Sequence, residues 1–554
     1  MATGMPMPDG RGHLSGCLRR RMTGRVRGWL SWPAVCALAY VSSTFGQTPP
    51  PPPGGGQVSA TPAALTATPA DGAKTDTTPR RAWVVAPRMA ATETVTDNAV
   101  ADAGTRRSDQ ITQLSPGVRV QADTGRLKAY ADYSLNYFTS AKGTQASRTN
   151  NALNAFGTFE AVDRWLFLEA SGVITQQNIS AFGAQTAGTA TVSANSTETS
   201  NFRLSPYVRG RFAGLAEYEA RYSLSDTRSK SALVAGVKSD EASFKLRGLS
   251  APVGFGWSLD GTRQEVTYSG GRRTDADLLR GILSYRFDPQ FQVRASVGAE
   301  SNNYSTPTME SRSTFGYGAD WTPTERTQLS VFRERRFFGN GHTITFSHRM
   351  PLTVFRFTDT RDVSILPNQM ANTGLGTYYD LLFAQLATSI PDPVARAQQV
   401  NAQLQQAGIS PTAAVTAGFL TSQATVRRRQ EFSLILNGAR NTVTYTFFQS
   451  DQQSVGTGGA IADDFSLATS VRQNGMSSNF SHRLSPSTSL NAFTSVLRSD
   501  GNRGQSTTSR VFNLNATTKL GIRTNAGIGL RATRTEGPIP YRENAMLANV
   551  AAQF

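Results

Sequence analysis

The chain has 554 residues, 38% of them apolar, a mean hydropathy of −0.33 and a formal charge of +17. Beyond the first 45 or so residues no stretch approaches the roughly 20 consecutive apolar residues of a membrane-spanning helix, which excludes a helical membrane protein. Several soluble domains or one large barrel remain open, because transmembrane strands are half polar and escape a search for apolar helices.

The front of the chain, "RRRMTGRVRGWLSWPAVCALAYVSSTFGQ", has the three parts of a secretory signal. Arg19–Arg27 is the positive region, and Trp29–Val41 is an apolar stretch of about 13 residues. Thr44 and Gly46 are small residues placed for cleavage near Gly46–Gln47. Residues 1–46 are predicted to be a cleaved signal peptide. They hold the chain's cysteines, Cys17 and Cys36, and six arginines against Asp9. The remainder then carries about +12 and no cysteine, so it offers no disulfide, thiolate nucleophile or cysteine metal site. "PAV" before Cys36 makes a poor lipoprotein box. The basic excess admits two readings: a solvated surface or lumen, or a preference for polyanions such as acidic polysaccharide or lipid headgroups.

Residues 47–80 are rich in Pro, Gly, Ala and Thr and have almost no large apolar side chain. They cannot bury enough surface to offset chain entropy and are predicted to be a disordered periplasmic tail.

From residue 81 to 554 the pattern is one of strands. In Gln290–Glu300, Phe291, Val293, Ala295, Val297 and Ala299 share one face and Gln292, Arg294, Ser296, Gly298 and Glu300 the other. Arg126–Phe138, "NTVTYTFF" and "RVFNLNATTKL" alternate likewise. Short breaks, among them "ADTG" at 122–125, "VD" at 162–163, "DP" at 288–289, "MP" at 350–351 and "GIRT" at 521–524, alternate with longer polar gaps at 177–200, 227–240, 302–311, 452–469 and 500–507. Short turns on one rim and long loops on the other is the asymmetry of an outer-membrane barrel. The expected fold is therefore all-β: a large single-chain antiparallel transmembrane β-barrel of about 22 strands, within roughly 20–24. Its first strand falls in Arg81–Asn98. Its last, "AMLANVAAQF", ends on Phe554, with Val550 and Met546 in the same period-two stripe. That stripe must meet lipid while its edge closes on the first strand, and it resembles the C-terminal signal read by the bacterial barrel-assembly machinery.

One connection breaks the meander. Residues 362–426 form a long loop insertion with helical patterning: an apolar "YYDLLFAQLATSI", Asp392–Pro393 as a helix start, and Val394, Ala397, Val400 and Leu404 on one face. It reads either as a decorated surface loop or as a helical hairpin over or inside the barrel mouth.

Three stretches carry a family resemblance: "ETVTDNAV" with "SDQITQLSPGVRVQADTGRLKAYADYSLNYF", then "LNAFGTFEAVDRWLFLEASGVITQQNISAFG", then "FFGNGHTITFSHRMPLTVFRFTDTRDVS". From about Trp83 onward the chain resembles the exosortase/PEP-CTERM system-associated outer-membrane β-barrel family, with Asp97–Asn98, Ser115–Pro116–Gly117 and Gln176–Gln177 as the more specific marks. The resemblance implies a Gram-negative outer-membrane barrel associated with exopolysaccharide production and surface protein sorting. It implies no activity and no catalytic or binding residues.

No enzymatic constellation emerges. The histidines are His13, His342, His348 and His482, of which only His342 and His348 share a strand face, roughly 20 Å apart. "GFGWSLDG" lies within a strand pattern rather than before a helix, which rules against nucleotide binding. Asp463–Asp464 could help hold calcium in an outer loop. No cofactor or metal is expected, and nucleic acid is not an expected partner. Two arginine clusters stand out: Arg333, Arg335 and Arg336, and Arg427, Arg428 and Arg429. A charge facing lipid at mid-membrane costs about 2–4 kcal/mol, so each should face the lumen or sit at the rim. There they read either as anchors to lipid and lipopolysaccharide phosphate or as a polyanion track inside the barrel. The functional expectations are a conduit or assembly component for exopolysaccharide or surface proteins, gated by 362–426, or a closed structural or adhesion barrel binding through its loops.

Overall fold

A computed structural model describes residues 82–101, 104, 106–212, 214–248, 253–365, 396, 400, 419–456 and 463–554. The predicted signal peptide and tail, and nearly all of the helical patterning in 362–426, lie outside the described residues.

Period-two alternation leaves each strand with one apolar and one polar face, and the sheet resolves this by closing on itself. The strands are β1 (Trp83–Thr96), β2 (Asp109–Asp123), β3 (Leu127–Ser140), β4 (Arg148–Val162), β5 (Leu166–Asn178), β6 (Ser196–Phe212), β7 (Ala216–Ser229), β8 (Val237–Gly248), β9 (Gly254–Tyr268), β10 (Arg273–Asp288) and β11 (Phe291–Asn302). They continue with β12 (Glu310–Thr324), β13 (Thr327–Arg336), β14 (Gly339–Arg349), β15 (Thr353–Ser364), β16 (Thr425–Asn437), β17 (Asn441–Ser454), β18 (Ser470–Arg483), β19 (Thr488–Gly501), β20 (Ser506–Lys519), β21 (Thr524–Glu536) and β22 (Tyr541–Gln553). Each pairs antiparallel with the next. β22 then pairs with β1, from Arg88 opposite Gln553 to Thr96 opposite Ala545, making a closed 22-stranded sheet with no free edge. The expected fold class and strand count are found.

The short turns lie where the sequence places them, on the rim that also carries Trp83 and Phe554. The opposite connections are narrower than expected. The gap at 227–240 shrinks to 230–236 and that at 500–507 to 502–505, because β7, β8, β19 and β20 continue past the apolar band with polar residues on both faces. Above the band no lipid demands an apolar side, so the alternation fades while the backbone ladder persists. Within β2 the pairing to β3 lapses between Leu114 and Gly117, where Pro116 has no N–H to donate.

Within the membrane band, outward positions are apolar. Met546, Val550 and Phe554 are all exposed on the outer face, as a lipid-facing stripe requires. Rings gather near the short-turn rim: Phe255, Tyr285, Phe287 and Phe291 meet in series, the first two contacts edge-on at 4.8 Å each and the last stacked at 5.6 Å. The apolar band is not of even height. On β11 it runs from Phe291 to Ala299, about 20 Å of membrane depth at a strand tilt near 40°. On β15 it ends after Phe355 and Phe357, because the next outward residue is Asp359. On β16 and β17 it ends at Phe432 and Phe447, with Gln430 and Gln449 above.

The inner face is polar, and the apolar clusters sit at the outer mouth rather than in a central core. Tyr268, Tyr304, Val237, Val266, Ile365 and Ala424 form one of them. On the inner wall, Phe448 lies over Gly475 of the neighbouring strand so closely that a Cβ there would be 1.9 Å from the ring.

Candidate functional site in the lumen and its outer mouth

Inward positions on β1–β16 carry charges in linked pairs. Asp132 accepts from Arg119 at 2.9 Å and also from Arg88. Arg221 bridges Glu169 at 3.1 Å and Glu219 at 3.3 Å, with its guanidinium 4.0 Å from the Tyr207 ring centre. Arg280 meets Glu334 at 3.0 Å, Arg294 meets Asp320 at 3.4 Å, and Arg336 joins Glu300 and Asp362, each at 2.6 Å. Such pairs add little net stability because desolvation offsets the attraction, but removing one partner strands the other. From β17 to β20 the inner wall changes character. Its buried polar residues are hydroxyls and amides, Thr446, Ser450, Gln473, Ser477, Asn491, Ser499 and Thr507, set among the apolar Phe448, Phe493 and Leu497. The lumen thus has a wall of paired charges, its arginines matched by carboxylates, and a wall whose polar groups are neutral.

The connection 179–195 between β5 and β6 folds inward over the mouth. Its stretch "SAFGAQTAGTATVSAN" contains no charged residue. Thr191 donates to Glu543 at 2.7 Å, and Glu543 also accepts from Arg531 at 2.8 Å. Val192 pairs with Val100, the Phe182 carbonyl accepts from Thr507 at 3.1 Å, and the Gln185 carbonyl accepts from Thr535 at 3.3 Å. Gly188 lies against the Arg531 guanidinium, where a Cβ would fall 2.0 Å from Nη1. The segment meets two others from across the barrel. One is 419–424, joined through a bridge between Asn178 and Phe419. The other carries a single-turn helix, α1 (Asp464–Leu467), where Phe465 packs with Phe182, Phe419 and Val471.

Asp463 caps α1 and accepts from Thr421 at 2.8 Å and Gln423 at 2.9 Å. Asp464 accepts from the Ser180 hydroxyl and the Ala181 N–H, both at 2.6 Å. Burial pushes the Asp464 carboxyl above the ordinary range, and those hydrogen bonds offset the shift only in part. Both carboxylates therefore serve loop packing, and among the described residues no cluster of His, Cys, Asp and Glu suits a metal.

Strand alternation splits both arginine clusters. Arg333 and Arg335 lie on the outer face at the loop end of β13. Arg336 turns into the lumen. Arg427 and Arg429 face inward, with Arg429 3.4 Å from Glu431 and 4.9 Å from the Phe448 ring centre. Arg427 keeps a buried Nη1 without a hydrogen-bond partner among the described residues. Arg428 points outward to Asp359 at 2.8 Å, where His342 at 2.9 Å and Gln430 at 2.9 Å complete the carboxylate's contacts. His348 instead contacts Thr327 at 2.8 Å, so the two histidines share a face without sharing a ligand. Sequence reading missed the inward loop 179–195. Its uncharged, small-residue composition is the signal that would have found it, since a loop standing in water has little reason to avoid charge.

A closed antiparallel sheet, an outward apolar band, an aromatic rim and a polar interior are together the fold of a Gram-negative outer-membrane β-barrel. By sequence, no known protein family and no curated protein matches the chain. Among solved structures, it is similar to the siderophore receptor PirA from Pseudomonas aeruginosa, at 9% identity over 85% of this chain and 80% of that one, with a TM-score of 0.42. The FrpB iron transporter from Neisseria meningitidis matches at 9% identity over 86% and 81%, TM-score 0.48. The ferric-catecholate import receptor Fiu from E. coli K12 matches at 8% over 84% and 81%, TM-score 0.44.

Proposed function

We propose that this barrel is a non-enzymatic conduit or assembly component in the outer membrane, linked to the export of an acidic exopolysaccharide and to surface protein sorting of the exosortase/PEP-CTERM type. The observation that carries the reading is the two-sided lumen. Arg427, whose Nη1 has no hydrogen-bond partner among the described residues, and the neighbouring Arg429 offer charge to carboxylate or sulfate groups, while the Ser, Thr, Asn and Gln wall of β17–β20 offers hydrogen-bonding partners to sugar rings. In this reading 1–46 delivers the chain to the periplasm, and the assembly machinery reads the stripe of Met546, Val550 and Phe554. The packing of 179–195 against 419–424 and α1 favours a second reading, a barrel shut at its mouth that binds partners through its loops.

Single-channel recording in planar bilayers separates the two. A conduit gives steps that polygalacturonate oligomers block and neutral dextran of equal length does not, with the block weakened at least tenfold by Arg427→Gln with Arg429→Gln. Zero conductance in the wild type and in a chain lacking residues 184–190 would overturn the conduit and leave the closed barrel.

A further inference from the structure

Five consecutive strands each carry one outward arginine at their loop ends: Arg472 on β18, Arg498 on β19, Arg510 on β20, Arg534 on β21 and Arg542 on β22. Three of them fall in one lateral row, because the register sets Arg510 opposite Arg534 and Arg534 opposite Arg542. Neighbouring strands lie about 4.8 Å apart, so three guanidinium groups share a stretch of roughly 10 Å. Like charges directly opposite one another in a sheet are unfavourable unless something neutralises them. One carboxylate serves this row. Glu536 meets Arg510 at 3.1 Å and Arg534 at 2.9 Å, and Arg542 has no ion pair among the described residues. The arginines remain open to the outside, with side-chain exposures of 49% at Arg510 and 59% at Arg534. The next outward row towards the other rim is Phe512, Ala532 and Asn544, and beneath it the outer face is apolar through Leu514, Leu530 and Met546.

We propose that this row is a docking site for the phosphate groups of an outer-leaflet glycolipid, whose acyl chains lie along the apolar surface beneath. Guanidinium forks match phosphate oxygens in two-point contacts. The position of the row, at the upper limit of the apolar band, is where a lipid headgroup lies and where a free anion has no reason to prefer. The apolar stripe below selects lipid over a soluble phosphate. The site is independent of whatever passes through the lumen, since every residue in it faces away from the lumen.

The test uses the mature full-length barrel in detergent, titrated with bis-phosphorylated hexa-acyl lipid A and read by native mass spectrometry. Triple substitution Arg510→Gln, Arg534→Gln and Arg542→Gln is expected to weaken lipid retention at least tenfold. Arg326→Gln with Arg523→Gln, on the opposite rim, should leave it unchanged. Dephosphorylated lipid A should bind the wild type at least tenfold more weakly. Equal retention by the triple variant, equal binding of the dephosphorylated lipid, or full displacement by millimolar inorganic phosphate would each overturn the proposal. Single substitution Arg542→Gln touches no ion pair among the described residues and keeps the test decisive if the triple variant does not form a heat-modifiable barrel; a loss of about threefold is expected, and no loss counts against the site.

Discussion

Gly188→Val should lift the mouth segment while leaving the barrel intact. A Cβ at residue 188 would lie 2.0 Å from Nη1 of Arg531, so one of the two must move. Moving Arg531 breaks its 2.8 Å pair with Glu543, which is fully buried, at a cost of about 3–5 kcal/mol. Lifting 186–191 instead sacrifices the Thr191 hydrogen bond to that carboxylate, about 1.5–3 kcal/mol, and part of the neighbouring backbone pairing. The loop is the cheaper element to displace. A destabilisation near 2.7 kcal/mol raises the open population about a hundredfold, at 1.36 kcal/mol per tenfold. In a chain produced from residue 47 onward, which leaves out Cys17 and Cys36, Ala190→Cys supplies a single reporter at a buried position. Maleimide labelling of Cys at 190 should accelerate about a hundredfold when Gly188→Val is added, with gel mobility before and after heating unchanged. An unchanged labelling rate in a properly folded barrel would refute the docking of 179–195 described above.

Other outcomes follow from the same geometry. Asp464 has its folded-state pKa raised by burial, so its ionisation opposes docking: the contribution is full below the ordinary carboxylate value near 3.9 and is lost as pH climbs through the raised one. Labelling at residue 190 should therefore quicken with rising pH, and Asp464→Asn should flatten that dependence. Gly475→Val should drive the Phe448 ring from its place and, by overpacking, cost about 1–3 kcal/mol, seen as a lower urea midpoint for the folded barrel. Val550→Lys places a charge against lipid and should cost up to about 2–4 kcal/mol, read as a smaller heat-modifiable fraction after refolding into vesicles. Arg336→Gln leaves Glu300 and Asp362 facing one another without their cation and should shift the reversal potential under a salt gradient towards cation preference.

The barrel was legible because lipid imposes its demand on every second residue, as Phe291 to Ala299 show, and because a turn of two or three residues interrupts the pattern sharply. The strand ends were legible only to within several residues, since Asp226–Arg228 and Ser499–Gly501 extend the ladder where no lipid enforces alternation. For one arginine cluster spacing alone gave the division: Arg333 and Arg335 share a face and Arg336 takes the other. The row of Arg510, Arg534 and Arg542 could not be read at all. Those residues lie 24 and 8 positions apart, and only the pairing register of three strands makes them neighbours. The mouth is similar: Thr191 and Glu543 meet across 352 positions.

The shortened apolar band of β15–β17 bears on how the protein stands among its neighbours. A cylinder greasy to full height on one flank and cropped on the other does not fit an even slab. The surrounding leaflet must pinch, or the axis must lean, at fractions of a kcal/mol for each ångström of mismatch. Three adjacent strands share that penalty, so crowding should turn the tall flank, around β11, towards other barrels and leave the cropped flank against softer, more easily deformed lipid.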